Sequence, residues 1–167
     1  MKTLKQWIPS LVIAVIITLG FRTYVAEAMK VPTGSMIPTI EINDHVFVEK
    51  LIWLTDIDYN DLVVFHPPVP EKEKEKYVKR VIGLPHDVIQ VKDGLLYRNG
   101  EVIDEPYLNE EIRYLYGPVE VPEDHYFVLG DNRNISYDSH MWPTPFLEKD
   151  RIVGKVLMVV PTHVFWQ

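Results

Sequence analysis

The clearest sign of the fold is the stretch VIQVKDGLLYRNGEVI, which occupies residues 88–103. It contains three short runs, 88–91, 94–97 and 101–103, that are rich in β-branched and other apolar residues. Asn99-Gly100 separates the last two runs, and this dipeptide is a strong signal for a type I′ turn between two antiparallel strands. The stretch therefore predicts successive short strands joined by tight turns.

Runs of the same kind occur on both sides of this stretch, at residues 45–48, 61–65, 77–82, 126–129 and 152–160. No helical period separates them, and the chain contains 13 prolines. Short strands without intervening helices are typical of an all-β architecture. We therefore predict an all-β, mostly antiparallel domain over residues 29–167, with a small β-hairpin cap inserted at roughly residues 90–125.

The amino-terminal segment has a different character. Residues 7–21 are apolar apart from a few uncharged interruptions, and Lys2, Lys5 and the terminal amine precede them. With its flanks the run approaches the length that a bilayer requires. It predicts one transmembrane helix within an anchor of residues 1–28, and the basic charges before it place the amino terminus in the cytoplasm.

A cleavable signal peptide is the alternative reading of the same segment. Its basic and apolar regions would look alike, and Ala26-Glu27-Ala28 resembles an A-x-A cleavage site. The segment alone leaves both readings open.

Composition excludes several classes of function. The net charge of −7 argues against nucleic acid as the main partner, because phosphate binding needs clustered basic residues. Cysteine is absent, which excludes disulfides and cysteine-based zinc sites.

Three motifs stand in order along the chain: VPTGSMIPTI at 31–40, YVKRVIGLPHD at 77–87 and GDNRNISYDS at 130–139. Taken singly, each suggests an ordinary turn or strand. Together, in this order and spacing, they resemble the conserved boxes of bacterial type I signal peptidases, and DLVVFH at 61–66 is similar to a fourth, structural box. The resemblance extends from the amino-terminal segment to about residue 154.

The resemblance implies a serine–lysine protease in which Ser35 is the nucleophile and Lys79 is the general base. A serine hydroxyl is a weak nucleophile until a base takes its proton. A lysine can act as that base only when neutral, so its pKa must fall from about 10.4. Burial among apolar neighbours has this effect because it disfavours the ammonium form.

Stabilisation of the oxyanion is also implied by the resemblance. A tetrahedral intermediate needs hydrogen-bond donors that are already in place. In this family the donors are the nucleophile's own N–H, here that of Ser35, and a hydroxyl two residues earlier, here that of Thr33. Ser136 matches the family serine that holds the lysine amine.

Three charged residues are expected to support this arrangement. The resemblance implies an ion pair between Arg80 and Asp131, with Asp138 in the same network. Two departures from the family pattern affect the surroundings. His86 stands where a glycine is usual, and histidine tolerates positive φ much less well. His140 stands where an arginine usually follows, which puts the customary salt bridge to Asp138 in doubt.

The family cuts after small residues at positions −1 and −3, so shallow apolar pockets are expected, and an extended substrate could bind as an added strand. The expected partners are signal peptides of exported preproteins and the lipid bilayer, and no metal or cofactor is expected. The protein is expected in the cell membrane with its catalytic domain outside the cytoplasm. Phe165-Trp166 could contact the membrane interface or pack on the domain, and the sequence leaves both readings open. The predicted pocket residues are Met36, Ile37, Val46, Val81 and Ile82.

A catalytically silent, exported β-rich module that binds peptides is the alternative function. The presence of Ser35, Lys79 and Ser136 argues against it. A self-cleaving repressor is a second alternative, but it would need a DNA-binding helical domain in place of residues 7–21. The sequence does not indicate an oligomeric state.

Overall fold

The computed structural model describes residues 2–24, 26–52 and 54–162, without the side chains of helix residues 2–6 and 21–24. One α-helix in this part of the chain, α1 (Lys2–Tyr24), precedes a series of β-strands. The strands are β1 (Ala26–Lys30), β2 (His45–Glu49), β3 (Leu62–Phe65), β4 (Tyr77–Gly83), β5 (Val88–Lys92), β6 (Leu95–Arg98), β7 (Glu101–Val102), β8 (Tyr116–Glu120), β9 (His125–Leu129), β10 (Leu147–Glu148) and β11 (Ile152–Val160).

The strands form two sheets. The larger sheet has the order β1-β2-β11-β3-β4-β9-β10, and the smaller has the order β7-β6-β5-β8. Every pairing in both sheets is antiparallel. The prediction of a mostly antiparallel β domain is confirmed.

The turn between β6 and β7 has the predicted geometry, with φ of 55° at Asn99 and 83° at Gly100. A type I′ turn requires positive φ at both central residues. The smaller sheet, however, has four strands and is more than the hairpin cap that was expected. Strand β8 was missed because Gly117-Pro118 argues against a strand, and it is tolerated here because β8 lies at the sheet edge.

The amino-terminal segment divides differently from the prediction. Residues 7–21 do lie in α1, but the helix ends at Tyr24 and β1 begins at Ala26. The expected limit of the anchor at residue 28 therefore falls within a strand that pairs with β2, and so does the A-x-A sequence. In the described part of the chain, no helix combines the length and the apolar composition needed to cross a membrane.

Strand β4 lies at the centre of the hydrophobic core. It pairs with β3 on one side and with β9 on the other. Val78, Val81 and Ile82 each belong to a different buried cluster, because residues along a strand point to alternate faces and a bulge follows Val81. Packing on both faces thus immobilises the strand that carries Lys79.

Candidate active site

Ser35 and Lys79, which are far apart in sequence, meet at one point in the fold. The Lys79 Nζ donates a hydrogen bond of 2.6 Å to Ser35 Oγ. Ser35 lies in a turn between Pro32 and Pro38 and is half-buried, whereas Lys79 in β4 is only 3% exposed. A substrate can therefore reach the hydroxyl while the amine remains shielded from water.

Burial of Lys79 lowers the pKa of its amine to about 8. Desolvation is the main cause, because an ammonium ion loses hydration in the protein interior. The carboxylates of Asp138 and Asp131 act in the opposite direction and raise the pKa. A neutral amine at this position can accept a proton from Ser35 across the contact that the ammonium form makes as donor.

A second hydroxyl lies beside the nucleophile. Thr33 Oγ1 is 3.4 Å from Ser35 Oγ, and Thr33 is solvent-exposed. The turn brings the two side chains together although Gly34 separates them in sequence. Thr33 therefore lies beside the nucleophile, and both residues line the same open cleft.

The third motif packs directly on the turn that carries Ser35. The backbone N–H of Asn132 donates to Ser35 O at 3.1 Å, and its side-chain amide donates to Gly34 O at 3.1 Å. At Gly130 a Cβ atom would overlap Ser35 O and Ser136 Oγ, so this close approach requires glycine. Sequence reasoning did not assign roles to Asn132 or Gly130, and their place in the third motif was the available signal.

Ser136 is buried next to Gly130. Its backbone N–H donates to Asn132 O at 3.1 Å. Its Oγ has no hydrogen-bond partner among the described residues, so it makes no hydrogen bond to the Lys79 amine. A buried hydroxyl in this state retains its capacity to bond a neutral amine or a bound substrate.

The guanidinium of Arg80 binds both oxygens of Asp131. Its Nε donates to Oδ1 at 2.8 Å and its Nη2 donates to Oδ2 at 2.6 Å. The hydroxyl of Thr39, another residue not assigned from sequence, also donates to Oδ2. This bidentate pair connects β4 to the third motif at the residue next to Lys79.

Asp138 is buried and holds the start of the third motif. Its Oδ2 accepts a hydrogen bond of 2.8 Å from Gly130 N–H. Its Oδ1 contacts His140 Nδ1 at 2.6 Å, and the ring of Tyr114 stacks on the His140 ring with centroids 4.0 Å apart. His140 therefore makes a side-chain contact with Asp138, at the position where the resemblance had put such a contact in doubt.

His86 adopts the left-handed conformation that glycine would favour, with φ of 70°. Its N–H donates to Val121 O at 2.8 Å, and its ring Nε2 lies 2.6 Å from Glu123 Oε2. These contacts hold the turn in a positive-φ geometry despite the side chain. The contacts of His86 are with Val121 and Glu123 and do not include Ser35 or Lys79.

An open cleft of about 580 Å³ adjoins the Ser35–Lys79 pair. The charged run at 71–76 borders this cleft through Lys72, Glu75 and Lys76. No group of metal-binding side chains converges anywhere in the described ranges. The apolar and aromatic walls come from Met29, Val31, Tyr77, Val78, Ile135 and Tyr137.

The residues predicted for the substrate pockets do not line this cleft. Met36, Val46, Val81 and Ile82 are wholly buried in the hydrophobic clusters, and Ile37 packs towards Gly34. Four of these five, Met36, Ile37, Val81 and Ile82, lie within three residues of Ser35 or Lys79 in sequence. Adjacent residues in a strand point to opposite faces, so such neighbours often enter the core and not the cleft.

Comparison with known proteins shows the family of this chain. The profile of the family described as "Signal peptidase, peptidase S26" matches residues 4–161. The chain belongs to this signal peptidase family. It is 44% identical to the probable signal peptidase I-2 of Synechocystis sp. over 89% of this chain and 69% of that protein. It is 40% identical to the signal peptidase I of Leptolyngbya laminosa over 93% and 78% of the two chains.

A solved structure supports the same assignment. The crystal structure of a signal peptidase I from Enterococcus faecalis V583 superposes with a TM-score of 0.52 at 31% identity, over 62% of this chain and 98% of that one. The protein is thus a signal peptidase, a serine-type peptidase that removes signal peptides. None of the comparisons supports a silent peptide-binding module.

Proposed function

We propose that this signal peptidase cleaves its substrate through a dyad of Ser35 and Lys79. The neutral Lys79 amine takes the proton of Ser35 Oγ as the oxygen attacks the scissile carbonyl, and the resulting ammonium protonates the departing amine. The Lys79 amine, neutral again after this transfer, then activates the water that hydrolyses the acyl-enzyme. The observation that carries this proposal is the 2.6 Å contact between Nζ and Oγ in a buried setting.

The oxyanion is stabilised by Ser35 N–H and the Thr33 hydroxyl. Both belong to the turn that carries the nucleophile, and the two hydroxyl oxygens are 3.4 Å apart. Donors of this kind act when they already point to the place where negative charge develops. The Ser136 hydroxyl, which has no partner among the described residues, bonds the Lys79 amine once that amine is neutral. Arg80, Asp131 and Asp138 keep the third motif in position.

The substrate binds in extended form along the open edge of β4. Residues 77–79 pair with β3 on one side, and pairing with β9 begins only at Arg80, opposite Leu129. The remaining edge of residues 77–79 therefore borders the cleft, and β1 is itself the last strand of its sheet. An extended peptide between Met29 and Tyr77 gains main-chain hydrogen bonds and places small side chains against these walls.

We propose that the amino-terminal helix holds the enzyme in the cell membrane, although its described residues alone do not make up a full span. Its described side chains are apolar around the helix and exposed, with Trp7 72% and Ile17 65% exposed. A helix that is hydrophobic on all sides needs an apolar environment. Lys2 and Lys5 keep the amino terminus in the cytoplasm, so the catalytic domain lies outside. Phe165-Trp166 lies outside the described residues and remains a proposed interfacial contact.

Two matched substrates test cleavage and membrane anchoring together. The full chain should cut a vesicle-bound preprotein and a short peptide with the same A-x-A site after the −1 alanine, as mapped by mass spectrometry. A chain lacking residues 1–24 should cut the peptide almost as well and the preprotein about tenfold more slowly, because it has lost membrane alignment.

A preprotein with phenylalanine at −1 is the control, and neither enzyme should cut it. Cleavage of this control at the same bond would contradict the proposed specificity. Equal rates of the two enzymes on vesicle-bound preprotein would contradict the anchor.

The pH dependence follows from the Lys79 amine. Burial lowers its pKa to about 8, so kcat/KM should rise about tenfold per pH unit below this value and level off above it. Initial rates on the short peptide between about pH 6 and 10 measure this rising part of the pH profile, the acid limb. Lys74→Gln, at an exposed position that does not line the cleft, should leave this dependence unchanged. A limb centred near about 6.5 would instead indicate a histidine base.

A further inference from the structure

Arg133 is a buried charge for which the dyad chemistry has no use. It is 1% exposed, and its Nε donates to Gly130 O at 3.1 Å. Its two terminal nitrogens donate to the carboxylate of Glu105 at 2.7 and 2.5 Å. The Glu105 side chain is itself only 6% exposed. The third motif is therefore held by a buried bidentate ion pair with a residue outside the motifs.

Glu105 comes from the connection between β7 and β8 in the smaller sheet. Two residues later, the hydroxyl of Tyr107 donates to Glu105 Oε1 at 2.7 Å. The ring of Tyr107 lies 3.9 Å from the guanidinium carbon of Arg80, which holds Asp131. This one connection thus contacts both charged supports of the third motif.

The position of Gly130 shows why these contacts matter for the dyad. Its carbonyl is held by Arg133 and its N–H by Asp138, while Ser35 O and Ser136 Oγ occupy the space that a Cβ would need. A shift of Gly130 would therefore move the groups that surround Ser35 and would admit water to the Lys79 amine. Gly130 therefore connects the Glu105–Arg133 pair, on the side of the smaller sheet, to the residues around the dyad.

We propose that Glu105 is a positioning residue for catalysis, which fixes the third motif against the Ser35–Lys79 pair through Arg133 and Gly130. This inference rests on the proposed dyad and adds the smaller sheet to the catalytic machinery. Loss of the carboxylate would leave Arg133 charged, buried and unpaired, a state that draws in water or displaces the loop.

Glu105→Gln tests the proposal, because it keeps the size of the side chain and removes its charge. We expect kcat on the short peptide to fall on the order of tenfold, with KM within about twofold of wild type. The acid limb of kcat/KM should move to higher pH, since an amine that regains water regains part of its ordinary pKa. Loss of stability alone would lower the active fraction without moving this limb.

Neither the substitution nor its control removes a charged group next to Lys79. Glu148→Gln is the control, because it breaks an Arg–Glu pair of 2.6 Å to Arg151 on the surface, and it should leave kcat and the acid limb unchanged.

The titratable groups around the Lys79 amine are the Asp131 and Asp138 carboxylates, the His140 ring that contacts Asp138, Tyr77 beneath the amine, and Lys72, Glu75 and Lys76 along the cleft.

Tyr107→Phe provides a milder test if Glu105→Gln unfolds at the assay temperature. It deletes the hydroxyl that donates to Glu105 and keeps the ring beside Arg80. We expect a decrease in kcat of about two- to fivefold and a shift of the acid limb in the same direction. A folded Glu105→Gln enzyme, or failing that Tyr107→Phe, with wild-type kcat and acid limb would overturn the inference. If the Ser35→Ala enzyme instead cleaved the peptide at the wild-type rate, the proposed dyad itself would be overturned.

Discussion

Replacement of Lys79 by alanine is expected to abolish cleavage, with kcat reduced on the order of 10⁴-fold or more. Ser35→Ala should have an effect of the same size, because nucleophile and base act as a unit and the 2.6 Å contact between them is lost in either variant. The double variant should be little worse than either single one. Single-turnover assays on the short peptide, with folding checked by circular dichroism, measure these rates.

Lysine and histidine variants are the controls for this result. Lys74→Ala removes an exposed lysine outside the cleft and should leave kcat unchanged. His140→Ala should retain activity although it removes the contact to Asp138. An inactive His140→Ala enzyme together with an active Lys79→Ala enzyme would establish a histidine base. No single alanine substitution should abolish cleavage at any of the six histidines: His45, His66, His86, His125, His140 and His163.

Thr33→Val is expected to lower kcat by about 10²–10³-fold. Valine has nearly the shape of threonine but lacks the hydroxyl that lies 3.4 Å from Ser35 Oγ. Since this donor acts mainly on the charge of the transition state, KM should change little. Thr33→Ser restores the hydroxyl and should stay close to wild type. Steady-state rates on the short peptide provide the measurement.

Thr55→Val is the matched control for the oxyanion prediction. The Thr55 hydroxyl donates to Leu51 O at 3.5 Å and does not border the cleft, so kcat should not change. An unchanged kcat in Thr33→Val would mean that backbone donors alone stabilise the oxyanion. A rise in KM without a fall in kcat would assign Thr33 to substrate binding.

Much of the fold was predictable because its signals are local. The alternating apolar runs mark β2, β4, β5 and β11, and Asn99-Gly100 marks the turn between β6 and β7. Strands β1, β8 and β10 escaped prediction for a common reason. Each is an edge strand, stabilised by its partner and not by its own composition.

The candidate site was predictable to a different degree. The pairing of Ser35 with Lys79 could be inferred because motifs of this length, in this order, are characteristic of one family. The lining of the cleft could not be inferred, because Val81 and Ile82 enter the core while Tyr77 faces the opening. Glu105 carried no signal at all, since its importance comes from a partner 28 residues away.

The chain's local pattern is sufficient to predict an antiparallel β domain and its main turns. The proposed nucleophile and base, Ser35 and Lys79, follow from the resemblance of the three motifs taken together. The reactivity of these groups depends on the tertiary structure. Lys79 acquires a pKa of about 8 only when β4 is buried among three apolar clusters. The hold of Glu105 on Arg133 likewise exists only once the two sheets are packed together. Side-chain periodicity is read along the chain, whereas desolvation and ion pairing depend on distances through space.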